Sequence, residues 1–98
     1  MHTVIRTYTG KGAAETVDLI IANKREVRKI MHAVKGFVDY SLIKTEDGGF
    51  SVTVSKTEKA SEAITAAARE WVLANAAHLK AKAPKVMGGK VSLNVAAP

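Results

Sequence analysis

Residues 37–56 read FVDYSLIKTEDGGFSVTVSK, two runs rich in β-branched and aromatic residues on either side of Glu46-Asp47-Gly48-Gly49. Strand formers flanking a glycine-containing turn are a strong local hairpin signal. Outward from this stretch the pattern is symmetrical. A helical period precedes it from about Ala13 to Val34, and another follows to about Lys80. Beyond these lie one strand pattern at His2–Thr9 and one at Val91–Val95. The order β-α-β-β-α-β predicts a single α+β domain over residues 1–98, with a four-stranded antiparallel sheet and two helices on one face.

The length of the hairpin loop decides what each face of the sheet carries, because a one-residue slip exchanges the faces. A two-residue Asp47-Gly48 loop sets Ser41 and Ile43 beside Phe50, Val52 and Val54. A three-residue loop with a left-handed glycine groups Val38, Tyr40 and Leu42 with those three, and leaves Asp39, Ser41 and Ile43 with Ser51, Thr53 and Ser55. The second register separates apolar from polar and is the one expected. It lines the helix-free face with short hydroxyls and Ile43, joined by Ser92 and Asn94, and with little of the Lys and Glu of a solvated sheet. Such a face needs a cover, most simply the same face of a second copy, so a homodimer through the sheet face is expected.

Gly10-Lys11-Gly12 ends the first strand, with Gly12 as N-cap and Glu15 at the third helical position against the positive helix end. At 100° per residue Val17, Ile20, Ile21, Val27, Ile30, Met31 and Val34 form one stripe, broken by Asn23, and Lys35-Gly36 ends the helix. Ser55-Lys56-Thr57-Glu58 has the form of a capping box and opens the second helix. Its stripe runs Ala60, Ala63, Ile64, Ala67, Ala68, Trp71, Ala74, Asn75 and His78. Ala83-Pro84 stops it, and Gly88-Gly89 turns the chain into the last strand.

Composition narrows the functional classes. The 98 residues include no cysteine, so disulfides, thiolate metal sites and a cysteine nucleophile are excluded. No apolar run approaches the length of a signal-peptide core or a membrane span, and a cytoplasmic protein is expected. The three histidines, His2, His32 and His78, have no ligand spacing to one another or to a carboxylate, so no metal is expected. No serine sits on a G-x-S-x-G elbow. A net charge of +6 invites a nucleic-acid reading, but aromatic residues make up only 5% of the chain. Phe50, the one aromatic of the third strand, points to the core in the expected register, so RNA stacking is disfavoured.

What remains is a pocket between the second helix and the sheet. Trp71, Asn75 and His78 rise along one helix face over about 10 Å, among alanines that leave room beside them. An aromatic wall, an amide and an imidazole in an apolar lining is the usual make-up of a small-molecule site. Arg6 on a central strand needs a partner, a strand end or an anionic ligand, and Tyr40 brings a hydroxyl to the same space. The plainer reading puts Trp71 in the core, with Asn75 and His78 satisfied by backbone near the helix end.

With the β-α-β-β-α-β order, Gly36-Phe37 before the second strand and a small basic chain, the sequence resembles the antibiotic biosynthesis monooxygenase-like group of dimeric α+β barrels, a branch of the ferredoxin-like fold. The resemblance spans nearly the whole chain. It implies a homodimer assembled through the sheets and, in one branch, cofactor-independent oxygenation of polycyclic phenols or quinols. A second branch degrades haem with an Asn on the first strand, a Trp near the end of the third and a His on the second helix. Here the first strand offers Arg6, Thr7 and Tyr8, the third ends in Val54-Ser55, and only His78 lies roughly where that pattern has its histidine. The expected function is therefore binding of a small apolar or aromatic ligand, with cofactor-free monooxygenation of a quinol-like substrate. Trp71 would stack on the ligand, Asn75 and His78 would polarise or deprotonate it, and Arg6 or Tyr40 would orient an oxygen. The alternative is a non-catalytic ligand-binding or dimerisation module.

Overall fold

The strand formers of the opening segment and the hairpin build a sheet of β1 (His2–Tyr8), β2 (Phe37–Thr45) and β3 (Gly48–Ser55), closed at one edge by β4 (Lys85–Lys90), in a computed structural model describing residues 1–98. The spatial order is β2-β3-β1-β4 and every pair is antiparallel. This is the ferredoxin-like arrangement expected. The helices are α1 (Ala13–Ala22), α2 (Lys24–His32) and α3 (Glu58–Asn75), followed by a short 3-10 turn at Ala77–Leu79. No helix is long and apolar enough to cross a membrane.

The hairpin corrects the expected register. Thr45 pairs with Gly48 and Ile43 with Phe50, so the loop is Glu46-Asp47 alone. Neither glycine has a positive φ. Both are needed inside β3, where a Cβ at Gly48 would stand 2.1 Å from the Tyr8 carbonyl oxygen and one at Gly49 2.6 Å from that of Ile43. Close backbone approach, not turn geometry, accounts for this pair. The faces exchange in consequence. Tyr40 and Leu42 share the helix-covered face with Thr53 and Ser51, while Ile43, Phe50, Val52 and Val54 lie on the open one. Val38 sits at a bulge and is exposed.

β1 follows the same rule. Val4, Arg6 and Tyr8 are buried under the helices, opposite Thr53, Ser51 and Gly49. The hydroxyl-rich face expected to meet a second copy is thus the interior, and the open face is the apolar one: Ile5, Phe50, Val52 and Val54 are half-buried and Met87 is 59% exposed.

Three boundaries differ from expectation. The first helix breaks at Asn23, whose side-chain amide donates to the Leu19 carbonyl at 2.8 Å, so the polar residue inside the apolar stripe divides it into α1 and α2. At α3 the N-cap is Thr57, whose hydroxyl accepts from the Ala60 amide at 3.1 Å. Ser55 belongs to β3, so the capping box does not form. The last strand precedes Val91. Gly88 pairs with Val4 inside β4, where a Cβ would lie 3.1 Å from the Thr3 carbonyl, and the residues beyond Val91 leave the sheet. There Leu93 is 84% and Val95 83% exposed.

The core lies between sheet and helices, where Tyr8, Ala13, Val17, Ile20 and Trp71 form one buried cluster. The buried stripe of α3 runs through Ala60, Ser61, Ile64 and Trp71, with Ala76 buried just past its end. Alanine is nearly indifferent to burial, so the many alanines on both sides of the helix leave Ile64 and Trp71 to set its rotation.

Candidate functional site

Arg6 is at the centre of the sheet, 3% exposed, with all three guanidinium nitrogens buried and without a hydrogen-bond partner. Its neighbours across the sheet are Ser51 and Val86, which offer it no carboxylate. A buried guanidinium left unpaired carries a desolvation penalty of several kcal/mol. The Ser51, Thr53 and Ser55 hydroxyls and the Trp71 indole N–H are likewise buried and unpartnered. The layer between sheet and helices is therefore polar and unsatisfied in a way an ordinary core is not.

Two phenols complete the cluster. Burial raises the Tyr8 hydroxyl above its usual value, against the opposing pull of the Arg6 charge. Tyr40 is pushed up to about 12, first by burial and then by Tyr8, while Arg6 and the nearby Ser51 hydroxyl pull the other way. Both phenols keep their protons at neutral pH. Arg6, Tyr8, Tyr40 and the Trp71 N–H can all donate; no carboxylate or imidazole lines the gap between them, while His32 and Asp39 line the adjoining cavity that Tyr40 also faces. Such a set suits a ligand rich in oxygen acceptors, above all one carrying negative charge.

Space surrounds the cluster on two sides. A gap of about 20 Å³ is lined by Arg6, Tyr8, Tyr40 and Trp71, with Met31 and Val72 beside them. Toward β2 it borders a cavity of about 370 Å³ between the α1–α2 bend and the strand, lined mostly by apolar residues such as Ile20, Val27, Met31 and Phe37, with Tyr40 on its wall. Toward α3 it borders a second of about 390 Å³, which Arg6 and Tyr8 also line. Trp71 faces the gap and neither larger cavity, so it stands as the partition between them.

Of the residues singled out in the sequence, Arg6, Tyr40 and Trp71 come together here. Asn75 and His78 do not. Asn75 is exposed at the end of α3 and turns its amide back to the Trp71 carbonyl at 2.8 Å. His78 is exposed on the 3-10 turn, which ends the helical periodicity before reaching it, and it lines none of these spaces. His2 is engaged elsewhere, its Nδ1 2.8 Å from the Ser61 hydroxyl. No group of three or more His, Asp or Glu is placed to hold a metal ion. Tyr8 was not legible as a site residue from periodicity alone, although its place two positions after Arg6 puts it on the same strand face.

No family model and no curated protein matches the chain. Solved structures do. A monooxygenase from the ActVA-Orf6 gene of Streptomyces coelicolor, in complex with nanaomycin D, aligns at TM-score 0.68 and 19% identity, over 99% of this chain and 92% of that one. SnoaB, a cofactor-independent oxygenase from Streptomyces nogalater, aligns at 0.66 and 16%, over 96% and 95%. MhuD, the haem-degrader of Mycobacterium tuberculosis, in a form with two manganese protoporphyrin IX bound per active site, aligns at 0.67 and 19%, over 98% of each chain. At these identities the likeness establishes architecture alone, and the chain shares the ferredoxin-like α+β fold of these proteins.

Proposed function

We propose that the protein binds a small phenolic or quinol-like aromatic ligand between helices and sheet and oxygenates it without a cofactor. The buried, unpartnered Arg6 carries this reading. A ligand phenolate placed against Arg6, Tyr8 and Tyr40 would satisfy the guanidinium and be stabilised as the anion. The ligand proton leaves to water at the cavity mouth, since both phenols hold their own. An electron-rich ring carbon of the anion then forms a C–O bond with molecular oxygen. For a substrate with an activated methylene, loss of water from the hydroperoxide leaves a carbonyl, so one oxygen atom ends in product and one in water.

The test uses anthrone as probe, with oxygen uptake and anthraquinone absorbance as readouts. The protein should accelerate both above buffer. Arg6→Met should reduce the rate by about a hundredfold, as loss of a preorganised charge does. His78→Ala, on the solvent side, should leave it within about twofold. A second reading, a ligand-binding module without chemistry, draws support from the lack of any side-chain base beside Arg6. Saturable anthrone binding with no oxygen uptake would favour it.

The apolar open sheet face supports a homodimer assembled through that face. Ile5, Phe50, Val52 and Val54 would meet their counterparts on the partner, and the exposed Leu93 and Val95 would fold over the partner's edge.

A further inference from the structure

The cavity under α3 has a charge pattern that a plain phenol does not need. Its charged lining is Arg6, Arg69, Lys80 and Lys82, with no Asp or Glu. None of the four is in a salt bridge, the protein's ion pair being Lys44 with Asp18. The floor is apolar, from Val72, Ala76 and Pro84. The rim is also held in place. Gly12 has no Cβ to meet the Leu79 carbonyl, which one would approach to 2.7 Å, so the connection carrying Lys80 lies tight against the turn before α1. Lys80 itself takes the left-handed conformation at φ 51°.

We infer that this cavity takes the acidic end of the ligand, so that the substrate class is an aromatic organic acid. Its anionic group pairs with Arg6 and is drawn in by Arg69, Lys80 and Lys82, while its ring lies on the apolar lining of the same cavity, against Val72 and Ala76. A cavity of about 390 Å³ with an apolar floor is far roomier than a bare inorganic anion requires. An exposed basic rim raises the local concentration of anions and speeds their capture, and the buried cation holds what arrives. This rests on the reading that the interior binds an aromatic ligand.

The test compares two probes of one scaffold, 8-anilinonaphthalene-1-sulfonate and the neutral N-phenyl-1-naphthylamine, by fluorescence at constant ionic strength. The sulfonate should bind more tightly to the protein. Arg6→Met should weaken it by at least about thirtyfold and leave the neutral probe within about twofold. Should that variant fail to fold, Lys80→Gln with Lys82→Gln, both at exposed positions, should weaken the sulfonate by about threefold and flatten its salt dependence. Equal binding of the two probes, or sulfonate binding indifferent to these substitutions, overturns the acidic substrate class and leaves the aromatic site standing. Failure of both probes to bind overturns the site as well. Full displacement of the sulfonate by inorganic phosphate at matched ionic strength would mark an inorganic-anion site and also overturn the inference.

Discussion

Arg6 shows how much one residue type can signal by its position alone. An arginine flanked by Val4 and Tyr8 on a strand face demands an explanation, and the fold leaves its demand unmet by protein atoms. Tyr40 shares the same layer, and its raised value has a measurable consequence. A phenol whose folded-state value of about 12 lies above its unfolded 10.0 contributes its stability in full below pH 10 and loses it as the pH climbs through about 12. Urea midpoints should therefore fall more steeply over that window in the parent than in Tyr40→Phe. Gly48 makes a second prediction at this scale. An alanine there would drive its methyl onto the Tyr8 carbonyl, so Gly48→Ala should destabilise by about 3 kcal/mol in urea unfolding.

Among the elements, α3 positions Trp71 and closes the cavity, so its start and rotation matter most. Thr57 caps it, and Thr57→Ala should lower stability by about 1 kcal/mol. Ser55→Ala should be neutral or slightly stabilising, because its hydroxyl is buried with no partner. Thermal melts of the two variants separate the observed cap from the one expected from S-x-x-E. The same helix shows why part of the site was hidden in the sequence. Asn75 does fall on the buried arc of Ala60, Ser61, Ile64 and Trp71, but it is the last residue of α3, where it is exposed and turns its amide back to the Trp71 carbonyl. His78 reaches the expected pocket only if helical spacing persists past the point where the chain tightens into a 3-10 turn. At α1 and α2, Asn23 stands out at once as polar within an apolar arc, yet the break it makes depends on its amide reaching the Leu19 carbonyl.

For the whole molecule the exchange of sheet faces is decisive. A helix-free face carrying Ile5, Phe50, Val52 and Val54, with Met87 at the edge, would be an aggregation hazard if left wet. Val52→Lys should convert a dimer to a monomer, as light scattering on an eluting column would show, with the fold retained by circular dichroism. A monomeric parent would remove the dimer proposal. The hydroxyl face is no reason to expect a partner, because the helices of the same chain cover it. The apolar face is the one that calls for a second copy.

The sequence by itself determined the order of strands and helices, the α+β class, the left-handed glycine at Gly36 and the choice of Arg6, Tyr40 and Trp71 as residues of interest, although it grouped Trp71 with Asn75 and His78. These follow from local periodicity and from residues whose burial must be compensated. Only the tertiary structure decided which face of the hairpin meets the helices, where the last strand lies and which polar groups share the cavity. Each of those turns on backbone approaches between distant segments: Gly48 on Tyr8, Gly88 on Thr3 and Gly12 on Leu79. A glycine looks the same in a sequence whether it serves a turn or a contact, and the contact exists only once the chain has folded.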